Sequence, residues 1–293
     1  MVSTRVPAPL LVLGGVISVQ FGGALAATLV PQIGAAAAVL LRLLFAAGIM
    51  LAVARPRLSG HSAQAWRTVV LFGLALGGMN WAFYSSLAYL PIGVAVTFEF
   101  IGPLLLAASG SRRPRDIAAV GAAAVGVVLV SEVTHVPLHE LSWRGIALAL
   151  LAGAFWAAYI VFSARTGAAF ERLDGLTLAM VVATAVVLPA GALNVEAIGL
   201  DHVLKGLGLA LLSSVVPYSL ELLALRRLSA TVFGILLSLE PAVAALAGLV
   251  VLGQVLGGAQ LAGMAMVVLA SVIVLGSPRP RQESPSDLTE TGG

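Results

Sequence analysis

Apolar residues in this chain come in long blocks rather than in strict alternation with polar ones. The blocks run about 18 to 25 residues between arginine clusters and proline or glycine turns, the length a helix needs to cross a hydrocarbon core of about 30 Å. Ten blocks are legible, near residues 7–29, 34–54, 66–88, 91–110, 115–131, 143–164, 174–194, 203–225, 229–251 and 256–276. The expectation is an all-α integral membrane protein with ten transmembrane helices. The first block is long enough to span and is followed at once by others, so it is read as a span rather than a cleaved signal peptide.

Composition strengthens this picture. Of 293 residues 60% are hydrophobic and 10% charged, with a mean hydropathy of +1.05, more apolar surface than a soluble fold of this size can hide. The 32 glycines suit membrane helices, whose backbones approach closely through small residues. Gly73 with Gly77, the face of Ala118, Ala122 and Gly126, and the face of Ala259 and Gly263 are expected packing surfaces. There is no cysteine, which removes disulfides, thiolate metal sites and cysteine nucleophiles. His61, His135, His139 and His202 fall between the blocks without a ligand-spaced partner, so neither a metal nor a cofactor is expected.

The net charge of +3 and pI of 9.8 do not point to nucleic acid, because the basic residues sit in short clusters between apolar blocks without interleaved aromatics. They read as topology signals. With the N-terminus in the cytoplasm, thirteen of the 16 Lys and Arg residues fall in inside segments, among them Arg55, Arg57, Arg67, Arg112, Arg113 and Arg115. Only Arg144 and Lys205 fall outside, and Arg42 lies within a helix. This asymmetry places both termini in the cytoplasm of a bacterial inner membrane. The polar stretch 277–293 has too few apolar residues to pack and reads as a disordered tail.

Sliding the chain against itself by 138 residues brings Gly15 onto Gly153, Leu90 onto Leu228 and Pro103 onto Pro241 without a gap. Two repeats are expected, 1–138 and 139–276. Five helices per half is an odd number, so the second half enters the membrane from the opposite side. Inverted repeats supply two related packings, each open to one side, with a solute site near the midplane.

A charge at mid-helix costs roughly 2.5 to 3.5 kcal/mol on insertion scales, so each one needs a partner, a wet cavity or a function. Glu99 lies in FEFIGP, four residues before Pro103, which removes the helical bond to its carbonyl; an acid beside an interrupted helix fits a coupling or substrate site. An ion pair with Arg42, at similar depth on the second helix, is the structural alternative. Glu240, in LEP ahead of Pro241, reads as a helix-bend acid in the middle of the ninth helix. Glu221 stands near Arg226 and Arg227, where snorkelling to the interface accounts for it. Asn80 and Tyr84 share a helix face suited to a zwitterion. The repeat sets Tyr218 opposite Asn80, and Pro217 adds a further helix break. Trp156 and Tyr159 line the sixth helix. Gln20 is either part of the site or interhelical glue, and Trp81 is either site or interfacial anchor.

Four stretches together carry a family likeness. LGGMNWAFYSSLAYLPIGVAVTFEFIGPL (76–104), SRRPRD (111–116), GAFWAAYI (153–160) and VPYSLELLALRRLSATVFGILLSLEPAVAALAGLVVLGQ (216–254) resemble the EamA-type drug/metabolite transporter superfamily and, within it, the bacterial threonine/homoserine exporter branch. The resemblance covers essentially residues 10–276. It implies two five-helix repeats around a central cavity lined by helices 1–4 and 6–9, and export of a small amino-acid substrate driven by an ion gradient; proton coupling is the expectation. One departure is Gly253-Gln254, where the superfamily usually has Gly-Glu. A broader metabolite or drug exporter of the same fold is the alternative, and homodimeric assembly stays open. A membrane-embedded enzyme is remote, because nothing near Glu99 and Glu240 supplies a nucleophile.

Overall fold

A computed structural model describes residues 6–111, 113–131, 141–193, 198–252 and 256–275. His135, His139, Gly253-Gln254 and the 277–293 tail lie outside them. The described residues form helices and connecting turns, and each of the ten predicted blocks is helical. In chain order these are α1 (Ala8–Ile33), α2 (Ala35–Ala54), α3 (Ala63–Ser86), α4 (Ile92–Gly110), α5 (Pro114–Val130), α6 (Trp143–Ala169), α7 (Asp174–Ala192), α8 (Leu200–Ala210), α9 (Val216–Leu225), α10 (Ala230–Leu237), α11 (Glu240–Leu252) and α12 (Gly258–Leu275). Among the described residues, eight helices are long and apolar enough to cross a membrane. The segment α5, with 17 residues, and Ala230–Leu246 are shorter. The chain is a multi-pass membrane protein.

Boundaries follow local chemistry. α3 begins where the Ser62 hydroxyl accepts the Ala65 N–H at 3.2 Å, the expected N-cap contact. α6 continues past Arg165 because Arg226 reaches across from the end of α9 and donates to the carbonyls of Gly167 and Phe170, each at 2.9 Å. Those bonds satisfy acceptors that a helix C-terminus leaves open.

The prolines act in three different ways. Between α8 and α9 the helix widens into a π turn, Leu211–Val215. The N–H of Val216 reaches back to Leu211, but Pro217 has no N–H to continue the series. The Leu212 carbonyl is instead taken by the Ser18 hydroxyl of α1 at 2.7 Å. Pro241 does not bend a continuous helix as expected. Ser238 and Leu239 form a turn, and Glu240 with Pro241 opens a new helix, α11, where a missing N–H costs nothing. Pro103 leaves α4 unbroken, and the Glu99 carbonyl that it cannot satisfy abuts Gly153 of α6.

That last contact sets how closely two helices cross. A Cβ on Gly102 would collide with the Gly153 backbone, and one on Gly153 with the Glu99 carbonyl, so α4 and α6 meet backbone to backbone at mid-depth. The Gly73 and Gly77 face packs on α7, and Gly126 meets Gly263 where α5 lies along α12. α2 packs on α7, α3 on α6 and α7, and α1 on the α8–α9 segment.

Candidate binding cavity

These crossings leave a cavity of about 730 Å³ between the helices. Its lining includes Leu87, Gly93, Ser131 and Gln260, residues at the ends of α3, α4, α5 and α12 on one side of the bundle. At the other side α4 closes on α10, with Gly234 against the Pro103 carbonyl and Ala107, and Gly110 against Thr231. The cavity lining thus reaches the first of these sides, and α4 and α10 are in contact at the second.

Arg42, Glu99, Asn80, Tyr84, Tyr218, Trp156, Gln20, Glu240 and Pro241 all line it. Tyr159 is fully buried behind this surface, and Pro103 and Pro217 shape the backbone around it. Trp81 does not contribute. It is 43% exposed in an outer groove with Leu74, Leu151, Phe155 and Val186.

Arg42 is the one basic side chain among the described lining residues. It is buried, with 6% exposure, and its Nε and Nη2 atoms have no hydrogen-bond partner. Its Cζ lies 5.6 Å from the Tyr84 ring centroid, within cation–π range. The alternative ion pair with Glu99 is not formed: no salt bridge joins the two residues. Glu99 is 8% exposed and shares the cavity lining with Glu240 of α11.

Behind Arg42 runs a polar network. Asn80 Nδ2 donates to the Leu76 carbonyl at 2.8 Å and to the Tyr218 hydroxyl at 3.4 Å. Residues that the 138-residue offset equates thus face each other directly. The Tyr218 and Tyr159 rings stand 5.6 Å apart, and Tyr159 also packs on Phe72 at 5.4 Å. Its hydroxyl donates to Glu221 Oε2 at 2.6 Å. Trp156 meets Phe100 edge to face, with centroids 4.8 Å apart.

Glu221 corrects the snorkelling expectation. It is 5% exposed, lines the cavity and is bonded to Tyr159 rather than to the interface. Arg226 turns instead to the end of α6, and Arg227 donates to the Val6 carbonyl at 2.9 Å. The helical spacing from Tyr218 to Glu221 was the available signal, since residues three apart share a face. Ser213, also in the lining, depends on the π turn and carries no comparable signal.

No group of three or more potential metal ligands occurs among the described residues. What remains is a cavity within the apolar helices of a multi-pass membrane protein, lined by a guanidinium and three carboxyls that form no salt bridge with it. Residues 143–276 match the EamA-like transporter family. Threonine/homoserine exporter RhtA of Escherichia coli (strain K12) is 39% identical over 261 residues, covering 87% of this chain and 86% of the relative. The protein of that name from Salmonella typhimurium (strain SL1344) is 38% identical with the same coverage. A protein of known crystal structure, 18% identical, superposes with a TM-score of 0.75 over 92% of this chain and 98% of its own, a likeness of fold. The chain belongs to the EamA-like transporter family. It is accordingly a transporter and not an enzyme.

Proposed function

We propose that this chain exports small amino acids of the threonine/homoserine type across the bacterial inner membrane, by alternating access coupled to protons. The observation that carries the proposal is the separation of charge in the cavity. A buried guanidinium with unpartnered nitrogens shares one space with three carboxyls and pairs with none of them, which suits a zwitterion with both charges to satisfy. The names of the relatives point to the same substrate class.

Ten spans in two inverted repeats, 1–138 and 139–276, underlie the mechanism. The contact between Asn80 and Tyr218, 138 residues apart, supports this, as equivalent residues meet on a two-fold axis. So does the reciprocal packing of α3 on α6 and of α1 on the α8–α9 segment. By contrast α4 lies extensively along α6, whereas the equivalent contact of α1 with α10 and α11 is smaller. An unequal pair of this kind is what a state open to one side requires. With cytoplasmic termini the open end faces outward. Reporter fusions after Gly276 and between Arg55 and Arg67 are expected to report cytoplasm, and fusions between Glu132 and Glu140 the outside. A periplasmic C-terminus would remove the inverted repeat.

Glu99 is assigned the coupling proton or the substrate ammonium, and Arg42 the substrate carboxylate. The cavity is larger than threonine needs, which favours a second reading as a broader metabolite or drug exporter of the same fold. Efflux from cells expressing the chain separates the two. Labelled threonine and homoserine leave faster than from control cells on the first reading, and bulkier organic cations do so on the second.

A further inference from the structure

Three carboxyls share the cavity, and a substrate ammonium needs one of them. Arg42, from α2, lies over the Tyr84 ring and lines the cavity together with Tyr218. Tyr218 is held from α3 by Asn80 and packs against Tyr159 of α6, whose hydroxyl fixes Glu221 Oε2. One turn of α9 carries Tyr218 and Glu221 on a common face. Tyr218 thus shares the cavity lining with a guanidinium whose Nε and Nη2 are unpartnered and with a carboxyl oriented by Tyr159. Glu99 is carried by a different helix, α4, and Glu240 of α11 lines the same cavity.

An α-amino acid carries its carboxylate and ammonium on one carbon, so both must be met at one place. We propose that Arg42 and Glu221 hold these two groups beside Tyr218, with Tyr159 as the positioning residue for Glu221, leaving Glu99 to exchange the proton. This rests on the amino-acid export reading and says which acid does which task. The Tyr159 bond ties down one Glu221 oxygen and leaves the other for the cavity. The separation also removes a conflict, because a carboxyl that must bind the ammonium in every cycle is a poor place to release a proton in the same cycle.

The test is binding of labelled threonine, and of its analogue with hydroxyl in place of the amino group, to the purified full-length protein at one pH. Glu221→Gln is expected to weaken threonine by roughly tenfold to a hundredfold, the effect of losing a charged hydrogen-bond partner. The hydroxyl analogue, with no ammonium to lose, should change by less than about twofold. Tyr159→Phe, which keeps the ring packing, should weaken threonine by a smaller factor, again sparing the analogue. Glu99→Gln should bind threonine nearly as the wild type does. Equal loss of both ligands in Glu221→Gln would show a merely structural role, and an ammonium-selective loss in Glu99→Gln would assign the acids the other way. Either result overturns the proposal. Wild-type protein that binds no amino acid contradicts the export reading itself, and the assignment falls with it.

Discussion

Arg42→Ala is expected to abolish export while the protein still reaches the membrane in normal amount. The two halves of this expectation have separate physical grounds. Arg42 is buried in α2, its Nε and Nη2 atoms are unpartnered, and no salt bridge links it to Glu99. Removing it breaks no ion pair and relieves a charge whose placement at mid-helix costs roughly 2.5 to 3.5 kcal/mol. Assembly should therefore survive. A substrate carboxylate, in contrast, loses the one cation that the described lining offers, and a carboxylate in a largely apolar cavity without a partner binds poorly. Arg42→Lys should recover only part of the flux, because an ammonium cannot reproduce the planar fork of a guanidinium. Membrane-fraction immunoblots with an efflux assay read both halves together. Normal affinity and flux in Arg42→Ala would show that the side chain serves another purpose.

Glu99→Gln is expected to lose gradient-driven transport while keeping substrate binding and passive exchange. The amide keeps the volume of the carboxyl, and with it the crossing at Gly102 and Gly153, but it can neither take up nor release a proton. Glu99 lies beside the carbonyl freed by Pro103, where α4 meets α6. A change at this position can be felt by the helix pair whose packing differs from its repeat counterpart. In vesicles with an imposed pH gradient, the wild type should respond to the gradient and Glu99→Gln should not. Glu240→Gln should be milder, acting mainly on stability. If Glu99→Gln transports with unchanged pH dependence while Glu240→Gln is dead, the two acids have exchanged tasks.

Block length and arginine placement made the helices legible because lipid imposes both: a span must be long and apolar, and basic residues favour one side. Those constraints act on whole segments, so they say little about features that depend on a single backbone bond. The π turn before Pro217 and the division of the ninth block at Ser238 and Leu239 are of that kind. Helix faces were legible where spacing alone decides, as for Asn80 and Tyr84, which both line the cavity. Depth was harder to read. Glu221 looked interfacial because Arg226 and Arg227 follow it closely, yet Arg226 is drawn sideways to the carbonyls at the end of α6 and leaves the acid buried. Arg42 and Glu99 line one cavity, each eight residues into its helix. Whether they form an ion pair is a matter of side-chain direction across two helices, which spacing along either one cannot specify.

On the proposed function this cavity carries a small amino acid outward in exchange for protons. Purified protein reconstituted into liposomes, with labelled threonine on one side and a pH gradient across the membrane, tests it most directly. Threonine is expected to move against its own gradient in the direction opposite to proton flow, to stop doing so when the pH gradient is dissipated, and not to move in Arg42→Ala. Folded wild-type protein that moves neither threonine nor homoserine, or that moves them equally well with and without the gradient, would contradict it.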